Sequence, residues 1–158
     1  MDDLLLQLRD VIVNENSLYK QLVDLSKEKK DVLLNRDIER LLMIISSEES
    51  LISKIQEFED VRLGIIDNLA EVWQIPKSEL NFKKIISLSS VDLSSLYSEF
   101  LSTVQELKDL NEMNNQLIRD SLSFINYILN IIVPMQEDFT YGRVKKKKAR
   151  PLVVDREV

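Results

Sequence analysis

The chain has 158 residues and the length of one domain; with 44% apolar and 30% charged residues it has enough greasy surface to build a core. It contains no cysteine and no histidine, which excludes a disulfide framework, thiolate chemistry, an ordinary zinc site and imidazole acid-base catalysis. The net charge of -6 is unevenly placed: residues 1 to 133 hold 14 Lys and Arg against 23 Asp and Glu, whereas residues 134 to 158 hold 7 against 4. An acidic body of this kind argues against nucleic-acid binding, which rests on cations displacing phosphate counterions.

The two glycines and three prolines fall at Gly64, Pro76, Pro134, Gly142 and Pro151, so long stretches carry no helix breaker. The chain is therefore read as all-α, an elongated antiparallel αα-hairpin plus a third long helix. Met1-Asp2-Asp3 lacks the basic start of a secretory signal, and no apolar run approaches the roughly 20 residues needed to cross a bilayer. The expected location is the cytoplasm.

The first helix is expected over 2–34. Leu4, Val11, Leu18, Leu25 and Val32 recur every seven residues, with Leu8 and Leu22 between them and Leu5, Ile12 and Tyr19 widening the seam. Asp10, Glu15, Lys20, Asp24 and Glu28 are read as the polar residues alternating with it. Asn35-Arg36-Asp37 combines turn and N-cap residues, so the second helix, 38–73, is expected to fold back antiparallel on the first. Its seam is Ile44, Leu51, Phe58, Ile65 and Val72, with Leu41, Ile45, Ile52, Ile55, Leu69 and Trp73 alongside. Gly64 is read as a close-packing or slightly weakened position inside this helix.

Pro76 closes the second helix. A connector over 74–90 follows, with a short helix over 78–86 supported by a Glu79–Lys83 pair, and Ser89 with Asp92 resembles a capping arrangement for a third helix over 91–133. This helix is amphipathic through Leu93, Leu96, Tyr97, Phe100, Val104, Leu107 and Leu110. Its centre is amide-rich, where Asn111, Asn114 and Asn115 either fix register through buried amides or face water. From Phe124 to Val133 it is apolar nearly all round, with Asn126 and Asn130 the strongly polar exceptions. That end has two readings: Phe124, Ile125, Ile128, Leu129, Ile131 and Ile132 fill the bundle's own core, or they form an interaction face. The two meet if the free protein hides the face in a weak homodimer. Residues 134 to 158 form a basic tail without periodicity, expected to stay disordered unless a partner orders it; Lys145 to Lys148 with Arg150 could reach an acidic partner or lipid headgroup, but a short charge run is usually a solvated tail.

Chemistry has little to stand on. Glu48 and Glu49, or Glu57, Glu59 and Asp60, fit a solvated helix face better than a carboxylate pair or hard-metal site. No phosphate cradle, nucleophile elbow or metal-ligand spacing is present, and a helical di-metal carboxylate protein would need Glu-x-x-His motifs. The expectation is a protein that is not an enzyme, with no cofactor, no metal and no small-molecule substrate.

Leu110 to Leu129, LNEMNNQLIRDSLSFINYIL, resembles the signature helix of the FlgN family of flagellar type III export chaperones, where an Asn-rich turn precedes a leucine and an aromatic-aliphatic run. Leu33 to Leu42, LLNRDIERLL, and Glu48 to Arg62, EESLISKIQEFEDVR, resemble the family's helix turn and following acidic segment. Thr140-Tyr141-Gly142 looks like its short motif after the third helix, with a tighter tyrosine-glycine spacing. The likeness covers about residues 1 to 142. It implies a cytoplasmic, non-enzymatic chaperone that binds a terminal segment of hook-filament junction proteins, prevents early polymerisation and delivers them to the export gate. Under that resemblance Leu117, Phe124, Ile125, Ile128, Leu129 and Ile132 are the client-binding residues, and Tyr141 docks the gate's cytoplasmic domain. The competing reading is a structural adaptor or self-assembling bundle that uses the same helix to oligomerise.

Overall fold

The computed structural model describes residues 1–132, in the order α1 (Asp2–Asn35), α2 (Ile38–Trp73), a single 3-10 turn (Lys77–Glu79), α3 (Phe82–Leu88) and α4 (Ser94–Ile132). No strand occurs among the described residues, and none of their helices is long and apolar enough to cross a membrane. The fold is the all-α hairpin plus third long helix that the breaker pattern predicts.

Two left-handed residues end the first two helices. Arg36 (φ 57°) and Gln74 (φ 54°) close Schellman turns: Arg36 and Asp37 donate their N–H groups to Leu33 and Val32, and Gln74 and Ile75 donate theirs to Glu71 and Ala70. Asp37 then caps α2, its Oδ1 accepting from the Arg40 N–H at 3.1 Å. The reversal takes two residues, so α2 runs antiparallel along α1.

Helix α1 is the central rod, and both α2 and α4 pack on it. Leu5 and Leu8 near its start meet Ile65, Leu69 and Ala70 of α2, with Leu80, Ile85 and Leu93 sealing the base of this inner cluster. Further along, Leu22 and Val23 meet Ile55 of α2 and Leu107 and Leu110 of α4 in an outer cluster. Helix α4 therefore lies parallel to α1. The short helix α3 lies against the start of α4, where the Phe82 and Tyr97 rings stack at 4.4 Å.

Several expectations change. Val72 is 52% exposed, and Leu69, Ala70 and half-buried Trp73 carry the end of the α2 seam instead. A strict seven-residue repeat drifts by about 20° per heptad around a straight helix, so four heptads rotate Val72 off the contact line. Glu15, read as a surface residue, is 1% exposed, because α1 is covered on two sides and the buried arc widens to include it. A Cβ on Gly64 would meet nothing within 4 Å, so close packing is not its role. The 78–86 helix is displaced: Asn81 caps α3 by accepting from the Lys84 N–H at 2.9 Å, and Lys84, not Lys83, lies 3.8 Å from Glu79. The Ser89–Asp92 capping arrangement does not form. The Ser89 hydroxyl instead donates to the Val91 carbonyl and accepts from its N–H, Asp92 accepts from the Ser94 N–H and hydroxyl, and α4 starts three residues later than expected. Those two bonds from Ser94 hold the Asp92 carboxyl below its usual range.

Candidate interaction site at the outer end of the third long helix

The packing of α4 on α1 is regular for most of their shared length. Thr103, Leu107, Leu110 and Asn114 form the buried stripe of α4, at the i, i+4, i+7, i+11 spacing of one helix face. Asn114 is 2% exposed and its Nδ2 donates to the Ser26 carbonyl of α1 at 2.9 Å. Of the three central asparagines it is the one buried to fix register; Asn111 and Asn115 are half-buried, and Asn115 has a polar partner of its own. Lys27 pairs with Glu106 at 2.8 Å and Lys20 pairs with Glu99 along the same side. The Lys20 ammonium holds the Glu99 carboxyl below its usual range.

Polar groups also enter the interior of this outer half. Lys29 of α1, buried, pairs with Glu48 of α2 at 3.0 Å. Arg62 Nε lies 3.1 Å from Glu15 Oε2, yet without an aligned hydrogen bond, and its guanidinium carbon sits 5.9 Å from the centroid of the Phe100 ring. Burial pushes the Glu15 carboxyl above its usual range against the pull of Arg62, with Glu59 adding to the rise. Burial likewise raises the Tyr19 phenol, which lies edge-on to Phe100 at 5.5 Å. The Ser26 hydroxyl and the Asn114 side-chain carbonyl are buried without a hydrogen-bond partner.

Helix α1 then stops while α4 continues. The Arg36 guanidinium, just past the end of α1, lies 5.4 Å from the Phe124 ring centroid, a cation–π contact that sets the two levels together. Ile125 and Ile128 stand eighteen residues, about five turns, after Leu107 and Leu110 and so occupy the same angular positions. Leu107 and Leu110 are 2% and 9% exposed; Ile125 and Ile128 are 52% and 37% exposed. The stripe that α1 covers runs on uncovered.

The sequence-predicted residues separate accordingly. Phe124, Ile125 and Ile128 lie exposed together at this end, and Leu117 and Leu129 are half-buried. Ile132 is the last residue of α4 and its side chain is outside the described structure, as is Tyr141 with the whole 134–158 tail. Leu122, Tyr127 and Ile131 are exposed beside the predicted set. From Ser121 to Ile132 no residue carries a charge, in a chain that is 30% charged. The end of the hairpin adds Leu34, Ile38 and Leu42, at 59%, 68% and 54% exposure, which sequence reading assigned to the helices without any role. An uncharged apolar surface of this kind buries well against another apolar helix face.

Comparison with known proteins accords with the resemblance. No solved structure matches the chain. Among curated proteins, YvyG of Bacillus subtilis (strain 168), itself described as uncharacterized, is 29% identical over 126 residues, covering 80% of this chain and 79% of that protein. The model of the FlgN protein family matches residues 1–149, a span that takes in the four α-helices of the described residues with their exposed outer end, and so the chain belongs to the FlgN family of flagellar export chaperones.

Proposed function

We propose that this protein is the cytoplasmic chaperone of hook-filament junction proteins, binding their terminal segment before assembly, preventing premature polymerisation and delivering them to the export gate. The observation that carries this reading is the stripe of α4 that α1 buries as far as Asn114 and leaves open at Phe124, Ile125 and Ile128. A client's amphipathic terminal helix would supply there what α1 supplies further in, with Leu117, Leu129 and Ile132 extending the contact along α4. Its activity is binding without catalysis or cofactor, in keeping with a chaperone family. Residues 1–133 would act as the helical body and residues 134–158 as a separate basic tail carrying Tyr141 to the cytoplasmic domain of the gate; for Tyr141 the family resemblance is the support.

The test is calorimetric titration with the terminal segments of candidate junction proteins, with sedimentation run alongside. Saturable binding with a negative heat-capacity change, lost in an Ile125→Glu variant that keeps its helical content, is the expected result. No binding by the unaltered protein, together with an oligomer that resists dilution, would replace the chaperone with the self-assembling adaptor. For the gate, Tyr141→Ala should weaken binding of its cytoplasmic domain, and unchanged affinity would remove Tyr141 from that role.

A further inference from the structure

The exposed apolar surface extends beyond α4. Leu34 stands eleven residues, about three turns, after Val23, which packs with Leu107 and Leu110 of α4, and seven after Lys27, which pairs with Glu106. It therefore lies on the side of α1 that faces α4, yet it is 59% exposed. Ile38 stands about four turns before Ile52, which joins the same outer cluster, and is 68% exposed. Both sit at the level of Arg36, whose guanidinium rests over Phe124. The end of the hairpin and the outer end of α4 thus present apolar side chains beside one another.

We propose that a single amphipathic helix of the client seats on both walls at once, Phe124, Ile125 and Ile128 of α4 on one side and Leu34 and Ile38 of the hairpin on the other. The inference deepens the chaperone reading and rests on it. What specifies a helix is continuity: the exposed positions of α4 repeat, five turns on, positions that a helix already covers, so the missing surface has the shape and spacing of a helix face. What specifies the chemistry of that face is charge. Residues 121 to 132 carry none, and in the hairpin end, 33 to 43, Arg36 and Arg40 are balanced by Asp37 and Glu39. Recognition therefore comes from burying apolar surface, and the client stripe that enters the cleft is uncharged.

The experiment titrates the full chain with the same terminal-segment peptides, comparing wild type, Leu34→Glu, Ile38→Glu and Ile125→Glu. The substituted hairpin residues are exposed in the free protein, so both variants should keep wild-type helical content and thermal midpoint. Each is expected to lose at least about tenfold in affinity. Wild-type affinity should change less than about twofold between about 50 and about 500 mM salt. Full affinity in Leu34→Glu and Ile38→Glu, with Ile125→Glu inactive, would confine the client to α4 and overturn the two-walled site while leaving the chaperone reading in place. Affinity that falls steeply with salt would overturn the uncharged contact. Tighter peptide binding after removal of residues 134–158, with the hairpin variants matching the truncation, would assign the hairpin wall to the chain's own tail and overturn the proposal. A self-association lost in the two hairpin variants, with peptide binding unchanged, would assign the wall to a second copy, with the same consequence.

Discussion

The inner and outer halves of the rod are built from the same three helices, but they are built for different ends. Around Leu5, Leu8, Leu69, Ile85 and Leu93 the interior is apolar, and α3 and the connector add Ile85 and Leu80 to it. From Glu15 onward the interior takes in a carboxylate, two amides, two hydroxyls and a buried lysine, several of them incompletely hydrogen-bonded, and at Arg36 the cover of α4 ends. Closed apolar packing gives stability; partly satisfied polar contacts set register at a cost in stability. The inner half thus anchors the bundle, and the outer half can keep an exposed apolar face.

The largest effect should come from the inner core. Leu69→Ala removes a fully buried side chain and should cost about 2–5 kcal/mol in urea unfolding; a loss under about 1 kcal/mol would mean that the inner half is not the anchor. In the outer half, Lys29→Ala strands the Glu48 carboxylate and should cost about 3 kcal/mol, whereas Lys29→Met together with Glu48→Leu should be neutral or stabilising. Equal losses in the single and double variants would show that the pair contributes stability in its own right. Asn114→Ala, which removes the bond to the Ser26 carbonyl, should cost about 1 kcal/mol. At the small end, Gly64→Ala should stabilise by about 0.5–1 kcal/mol, since the added methyl meets open space on an exposed helix.

Acid sharpens the same contrast. The Glu15 carboxyl is raised by burial in the folded protein, so folding favours its protonated form. Between the ordinary carboxylate range and the raised folded value the native state binds more protons than the unfolded one, and this group's contribution to stability falls as pH rises. Glu15→Gln should therefore gain stability relative to wild type at about pH 7 compared with about pH 4. A relative loss at the higher pH would show that Arg62 outweighs the burial.

Much of this was legible in the sequence, for definite reasons. Glycine and proline placement marked the long helices, and Asn35-Arg36-Asp37 marked the reversal. The greasy character of the stretch that begins at Phe124 marked the exposed apolar end of α4. Glu15 and Val72 were misread because a repeat of seven says which residues share a face but not how wide the buried arc becomes when a helix has two neighbours, nor how far the face drifts. Leu34 and Ile38 fell inside the expected helices but outside both seams, and nothing in the sequence gave them a role, because their exposure depends on where α4 lies relative to the end of α1. That register is set by Asn114 on Ser26 and Arg36 on Phe124, contacts between positions 88 residues apart.

The most direct test is amide hydrogen exchange of the full chain with and without a saturating junction-protein terminal peptide. Exchange should be slow throughout the inner half in both states, and fast from Ser121 to Ile132 until the peptide binds and slows it. Saturated binding with exchange in that segment unchanged would contradict this.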